Sequence, residues 1–325
     1  MKEKVSLYFK KIFMKYDNAG LKPVKKRRSR LRWIAGSLLL FLSIIFITGV
    51  FYGRYNFRYE TVEIEYDKLP AGLHGLTIVH ISDLHLVSFR NKREKLIQVF
   101  DSINSYEPDI IVNTGDFVSI IHHEMEAFTG ILASLNAEYG VYAIPGNHDT
   151  GLYSKLFDAG NFDEHLDTIG KILERSQHTY LADTSALISI DTLGVSIAGV
   201  VSYGRIPDIH YGNTDKALAA SKNSDFSILL SHDPNHWLNE IRYRNDVDLT
   251  LSGHTHGGQV GILMPGLKLS PASLFYPAWS GLYGENNNFL YVNRGLGIVG
   301  FPARIGMPPE ITIIRLLSPS PPVTP

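Results

Sequence analysis

The sequence predicts a layered α/β domain held behind a single transmembrane helix. Three observations predict it. Apolar runs rich in Val and Ile alternate with stretches of helical period, five short polar clusters each begin where an apolar run ends, and one long uncharged apolar stretch lies near the N-terminus. The 325 residues leave room for one large domain with an ample core, or at most two ordinary ones. There is no cysteine, which excludes a disulfide framework, a thiolate zinc site and a Cys nucleophile.

Residues 1–32 carry twelve Lys and Arg against two acids; that +10, set against a total formal charge of −1, leaves −11 for residues 33–325. Such a balance disfavours nucleic acid as a partner of the larger part. Within the basic tail Val5, Tyr8, Phe9, Ile12 and Phe13 follow helical spacing among lysines, which suits either an amphipathic helix on an anionic leaflet or a disordered basic segment. Residues 33–53 then run without a charge, and about 20 residues at 1.5 Å each cover the roughly 30 Å hydrocarbon core. Lys25, Lys26, Arg27, Arg28, Arg30 and Arg32 precede this stretch and only Arg54 and Arg58 follow closely. The positive-inside rule therefore keeps the N-terminus cytoplasmic and puts the large remainder on the extracytoplasmic side of the cell membrane. The run exceeds a usual signal-peptide core and no small-x-small cleavage site follows, so it reads as a retained single-pass anchor.

The linker from Arg54 to Glu60 reaches at most about 25 Å, which holds the domain, residues 54–317, close to the bilayer. Strands are expected at Leu76–Ile81, Ile110–Asn113, Val141–Ile144, Val195–Val200, Phe226–Leu230, Leu249–Ser252, Leu290–Val292 and Ile311–Arg315. Helices are expected over Lys92–Ser105, with Leu96, Ile97, Phe100 and Ile103 on one face, and over Met125–Leu135. Ser318-Pro319-Ser320-Pro321-Pro322 can neither pack nor pair, so residues 318–325 read as a loose tail.

The five clusters are Asp83-Leu84-His85, Gly115-Asp116, Gly146-Asn147-His148-Asp149, Ser231-His232-Asp233 and Gly253-His254-Thr255-His256-Gly257-Gly258. Ligand sites in open α/β sheets gather at the carboxyl ends of strands, so clusters up to about 170 residues apart converge on one site. Asp83, His85, Asp116, Asn147, His232, His254 and His256 supply imidazole and oxygen donors suited to divalent first-row metals. Seven side chains with one carboxylate shared give two sets of four ligands. Manganese, iron and zinc all suit such a set.

In this order the clusters resemble the calcineurin-like metallophosphoesterase superfamily, whose pattern runs D-x-H, G-D, G-N-H-D/E, H and G-H-x-H. More narrowly, Gly253 to Gln259, Arg294-Gly295-Leu296-Gly297 and Pro308-Pro309-Glu310 resemble its bacterial membrane-anchored branch. The likeness covers roughly residues 60–316. It implies a four-layer sandwich of two mixed sheets flanked by helices, and two divalent metal ions as cofactors. It puts Asp83, His85 and His256 on the first ion, Asn147, His232 and His254 on the second, and Asp116 between them. His148 becomes the acid beside the leaving group, with Asp149 orienting it. Many relatives continue G-D-x-x-D, whereas Ser119 stands at the last of those positions here; that departure concerns a supporting hydrogen bond and not the bridge.

The function implied is hydrolysis of a phosphomono- or diester by metal-bound hydroxide, with a lipid or other envelope amphiphile as substrate. Pyrophosphatase activity on UDP-2,3-diacylglucosamine is an alternative that the extracytoplasmic orientation argues against. A phosphodiesterase for soluble nucleotides or wall polymers is another. A non-catalytic scaffold would be expected to have lost ligands. Arg294 and Arg304 are candidate donors to phosphate oxygens, with surface salt-bridging as the plainer reading. Gly295–Gly300 matches a dinucleotide fingerprint, but Pro302 follows at once and no helix can open there. Residues 261–284 form an apolar and aromatic stretch broken by Pro265, Pro271 and Pro277. It reads either as an internally packed loop or as a flap with Trp279 at the lipid interface.

Overall fold

The computed structural model describes residues 24–154, 162–205 and 208–319. The chain forms two units, the first ending at Ile47 and the second beginning at Thr48. The amphipathic pattern around Val5–Phe13 lies outside the described residues. A single helix, Val24–Phe51, runs through the first unit and into the start of the second. Leu31, Trp33, Ile34, Leu39 and Phe41 on it are all exposed. From Trp33 onward the helix carries no charge and most of its side chains are exposed, which suits lipid better than water; it is long and apolar enough to cross a membrane.

The second unit is built on two six-stranded sheets. The first has the order β1-β16-β2-β3-β4-β5 and the second β14-β15-β11-β10-β7-β6. Their strands are β1 Arg58–Glu65, β2 Thr77–Ile81, β3 Ile110–Asn113, β4 Val141–Ala143, β5 His178–Tyr180, β6 Thr184–Ile190, β7 Leu193–Gly199, β10 Phe226–Leu230, β11 Leu249–Ser252, β14 Gly281–Glu285, β15 Asn288–Val292 and β16 Glu310–Leu317. Two small hairpins, β8 Ser202–Arg205 with β9 Asp208–Tyr211 and β12 Ile262–Met264 with β13 Leu267–Leu269, stand apart from them. The inner strands β2, β3 and β4 are parallel, as are β7, β10, β11 and β15. Antiparallel pairs at β16–β2, β6–β7 and β14–β15 make both sheets mixed.

The near-continuous apolar runs follow from burial on both faces. Pleating sends Ile78, Ile110 and Val112 to one side, where they meet Val195, Ile197, Ile228 and Leu249 of the second sheet. It sends Val79, Ile81 and Ile111 to the other, against Leu96, Phe100 and Ile103 of the helix Arg93–Asn104 and Ile169, Ile172 and Leu173 of the helix Phe162–Arg175. Ala198, Leu229 and Leu290 on the far face of the second sheet pack against Trp237, Ile241 and Leu218. Helices, sheet, sheet and helices thus form the four layers.

Some local expectations give way. The helix expected over Met125–Leu135 is one short 3-10 turn, Glu126–Phe128, followed by a single α-turn, Thr129–Leu132. Gly130 weakens a helix interior, and the Glu124 carboxylate captures the amides of Ser119, Ile120 and Ile121 in a tight turn just upstream. The linker Arg54–Glu60 is not an extended tether: a 3-10 turn, Gly53–Tyr55, runs straight into β1, whose register is set by Arg58 donating to Pro309 O at 2.8 Å. Trp279 is not at an interface. It is buried with Ala272, Tyr276 and Met307, while Leu274 and Phe275 are the exposed side chains of that stretch.

His178, buried beneath Phe117 on β5, gives a pH prediction. Burial holds its imidazole down to about 4, although its Nδ1 donates to Ser176 O at 2.8 Å. A depressed folded-state value means the neutral form stabilises the fold above the unfolded value of about 6.5, and this is lost as pH falls toward 4, by roughly 3 kcal/mol. His178→Phe should therefore lose less thermal stability than the parent between pH 7 and pH 5, as melting curves at the two pH values would show.

Candidate metal centre

Every predicted ligand follows a strand. Asp83 and His85 lie just beyond β2, Asp116 beyond β3, Asn147 and His148 beyond β4, His232 beyond β10, and His254 and His256 beyond β11. Five of the seven, Asp83, His85, Asp116, His254 and His256, hold φ between 39° and 70°, the left-handed region that non-glycine residues rarely occupy. Such backbone persists only where its surroundings over-determine it. Here it breaks the pleat, so that residues two apart in sequence turn toward one focus. The loops after β3 and β4 touch backbone to backbone: a Cβ on Gly115 would collide with Gly146, and one on Gly146 with the Asp116 carboxylate.

The structure gathers these side chains into two triads. Asp83, His85 and His256 have donor atoms within 4.8 Å of one another, and so do Asp116, His232 and His254. In the first, His85 Nε2 lies 3.1 Å from His256 Nε2, and His256 Nε2 lies 3.2 Å from Asp83 Oδ1. Asp116 Oδ2 joins the triads, 3.1 Å from His232 Nε2 and 3.6 Å from His85 Nε2. Asn147 Oδ1 is buried without a hydrogen-bond partner, while Nδ2 of the same amide donates to the Tyr153 hydroxyl at 2.9 Å. A buried carbonyl oxygen with no donor is costly unless something electropositive meets it.

The charge in this cavity points the same way. Burial alone would disfavour charge on His232, yet Asp116 and Asp83 beside it draw its imidazole up to about 10. Burial holds His85 down to about 3, keeping it neutral as a donor must be. Two buried carboxylates so concentrated need positive charge, and four imidazoles with oxygen donors are the kind of set that borderline divalent ions take. The residues present fit a pair of such ions.

Each imidazole is held by a further contact. His232 Nδ1–H donates to Thr114 O at 2.6 Å, leaving Nε2 on the side of Asp116. His85 Nδ1 meets Ser119 Oγ at 3.1 Å, so a hydroxyl occupies the place where many relatives carry a carboxylate. His254 Nε2 meets the Tyr276 hydroxyl at 2.7 Å, and Arg304 Nη2 stands 3.3 Å from His256 Nδ1. Outer contacts of this kind set ring orientation, and their loss typically weakens metal affinity by about 10- to 100-fold. Ser119→Ala is expected to raise the metal concentration for half-maximal activity by about that factor, with the rate recovering at saturating metal; a metal titration checks this.

His148 lies on the rim, partly exposed. Its Nδ1–H donates to Ser119 O at 2.7 Å, its amide donates to Asp116 Oδ1 at 2.8 Å, and its ring stacks on Tyr153 with centroids 4.0 Å apart. The group that orients this ring is therefore the Ser119 carbonyl and not Asp149. Asp149 is buried and accepts from the amides of Gly146 and Val118, at 2.9 and 3.1 Å, bracing the two loops. Burial, with Asp116 close by, pushes its carboxyl up to about 8.

Arg294 and Arg304 are not free phosphate donors. Arg294 is buried and paired with Glu310 at 3.0 Å and Glu60 at 2.9 Å. Arg304 is caged by the carbonyls of Arg294, Gly295 and Gly297 at 2.7–3.0 Å. A guanidinium withdrawn from water must have its donors met; Arg294 spends its donors on carboxylates of β1 and β16, and Arg304 spends its donors on loop carbonyls.

Comparisons with known proteins agree with this geometry. A family model described as calcineurin-like phosphoesterase matches residues 76–258. An uncharacterized metallophosphoesterase of Bacillus subtilis, YkuE, is 34% identical over 286 residues, 83% of this chain and 90% of its own length. A Danio rerio transmembrane protein with a metallophosphoesterase domain is 30% identical, with 96% of this chain and 70% of that protein covered. The UDP-2,3-diacylglucosamine pyrophosphatase LpxG of Chlamydia trachomatis is 31% identical, covering 76% of this chain and 85% of its own.

Proposed function

Because the chain belongs to the calcineurin-like phosphoesterase family, and is thereby a metal-dependent phosphoester hydrolase, we propose that it acts at a membrane on the phosphoester of a lipid or other amphiphile. The observation that carries the mechanism is the place of Asp116 Oδ2, within 3.6 Å of one imidazole from each triad. In this reading Asp83, His85 and His256 would hold one divalent ion, Asn147, His232 and His254 the other, and Asp116 would be shared. Such a pair would supply Lewis acidity toward phosphate oxygens and lower the pKa of a bound water.

The chain's own residues do the rest. The carboxylates of Asp83 and Asp116 would supply negative charge to such ions, and Asn147 Oδ1 a neutral oxygen donor. His148, with Nδ1–H held by the Ser119 carbonyl, presents Nε2 as the proton donor to the leaving oxygen. Asp149 keeps the Gly146 and Val118 amides in place, so that His148 and Asp116 stay in register.

The amphiphile reading is supported by the membrane-length helix, the turn that leads directly from it into β1, and the similarity to LpxG, whose named substrate is a diacylated sugar nucleotide. The basic residues before residue 33 support a cytoplasmic N-terminus, with the catalytic unit, residues 54–317, on the other side. The test is turnover by the full chain with manganese, first of aryl mono- and diesters and then of lipid phosphates in vesicles. Lipid esters should turn over faster than soluble alkyl esters of the same class. Preference for the soluble esters would reject the amphiphile and leave the hydrolase.

A further inference from the structure

A cavity of about 680 Å³ lies in the second unit, and none of the seven ligand residues lines it. Gly53, Arg58, Leu263, Met264, Lys268 and Leu282 form much of its wall. Its charge is lopsided. Arg58 and Lys268 are exposed and have no acidic partner among the described residues, while the one acid of the wall, Glu60, is tied to Arg294 at 2.9 Å. Arg304 lines the cavity too, but its donors are consumed by carbonyls. Two free cations thus face a space that holds no free carboxylate.

Apart from Asn56 and the paired Arg294 the rest of the wall is mostly apolar, and exposed apolar side chains lie near it in sequence. Met264 is 53% exposed and Leu282 40%, and Leu267, Leu269, Leu274 and Phe275 nearby in sequence are exposed as well, Leu274 at 80%. Contiguous exposed side chains of this kind mark a surface that meets something other than water. The β12–β13 hairpin that carries Met264, Leu267 and Leu269 is short, and its strands form a two-stranded sheet of their own. Gly53, two residues past the end of the membrane-length helix, belongs to the same wall, and a Cβ there would collide with Arg304 O, so the chain enters the wall directly from that helix.

We propose that this cavity is an accessory site for one anionic phospholipid of the surrounding bilayer, with Arg58 and Lys268 on the phosphate and Leu263, Met264 and Leu282 along the upper acyl chains. Free phosphate would satisfy the two cations but leave the apolar wall in water, and a zwitterionic headgroup would bring its own cation to Arg58 and Lys268. A bilayer lipid with a net negative headgroup satisfies both halves. The site is distinct from the metal centre and does not depend on which phosphoester is hydrolysed there.

The test is native mass spectrometry of the full chain in dodecyl maltoside with added dioleoyl phosphatidic acid, dioleoyl phosphatidylcholine or inorganic phosphate. The parent should retain one phosphatidic acid per chain, against phosphatidylcholine and unaffected by millimolar phosphate. The double variant Arg58→Glu, Lys268→Glu should retain at least tenfold less, and so should Met264→Asp with Leu282→Asp, with soluble aryl-ester turnover unchanged. Equal retention by the charge variant, equal retention of phosphatidylcholine, or displacement by inorganic phosphate would each overturn the proposal. If the double variant loses aryl-ester turnover as well, Lys268→Gln alone decides: a threefold loss of phosphatidic acid supports the site and no loss refutes it.

Discussion

Asp116→Asn is expected to lower phosphoester turnover by at least about 10³-fold, because contacts one shell further out already cost 10- to 100-fold in comparable centres. Asp116 Oδ2 lies close to an imidazole of each triad, 3.1 Å from His232 and 3.6 Å from His85, whereas Asp83 is 4.0 Å from His232. Asparagine keeps the shape and the Oδ1 acceptor that holds the His148 amide at 2.8 Å, so the loop should survive. What it removes is one negative charge and the second anionic oxygen. Metal content should fall with activity, while the circular dichroism spectrum stays that of the parent. A variant that keeps both full metal content and full rate would show that the two triads act independently.

His148→Ala separates proton transfer from metal binding. The ring does not belong to either triad, so both ions should stay, yet turnover of an alkyl phosphoester should fall by about 10²- to 10⁴-fold, the usual contribution of a positioned acid. An aryl ester, whose phenolate leaves without a proton, should lose far less. The contrast between the two leaving groups is the readout, since a merely structural defect would lower both alike. Equal losses on both esters would remove His148 from the acid's role. Asp149→Asn gives the complement: because its carboxyl group accepts from Gly146 and Val118 rather than holding the His148 ring, and an amide nitrogen cannot accept, it should lower stability and rate without changing the leaving-group contrast.

The architecture was legible where burial on both faces writes long apolar runs. Thr77–Ile81, Ile110–Asn113, Phe226–Leu230 and Leu249–Ser252 fall within or on the strands expected for them. Edge strands were not. The linker read over Arg54–Glu60 runs into Arg58–Glu65, whose strand character comes from pairing residue for residue with β16, 252 positions on. The helix Phe162–Arg175 carries Leu166, Ile169, Ile172 and Leu173 at helical spacing, a pattern present in the sequence but attached to no ligand cluster. Which residues meet at the centre was readable from motif order, but how they are held was not. The positive φ values at five of them, the Thr114 carbonyl behind His232 and the Tyr276 hydroxyl against His254 are products of loop closure. Tyr276 in particular sits in an apolar stretch that offers no sequence sign of contact with a ligand. The two arginines are taken up for a related reason: an Arg near glycines suggests an anion site, but loop carbonyls cage Arg304 and the Glu60 and Glu310 carboxylates hold Arg294.

The central claim is that seven side chains from two sheets hold two ions through one shared carboxylate. Elemental analysis of the purified full chain, titrated with manganese while aryl phosphodiester hydrolysis is followed, measures it most directly. The account predicts two manganese per chain with activity appearing as the second binds, and neither retained tightly by Asp116→Asn. Full activity at one ion per chain, or two tightly held ions in Asp116→Asn, would contradict it.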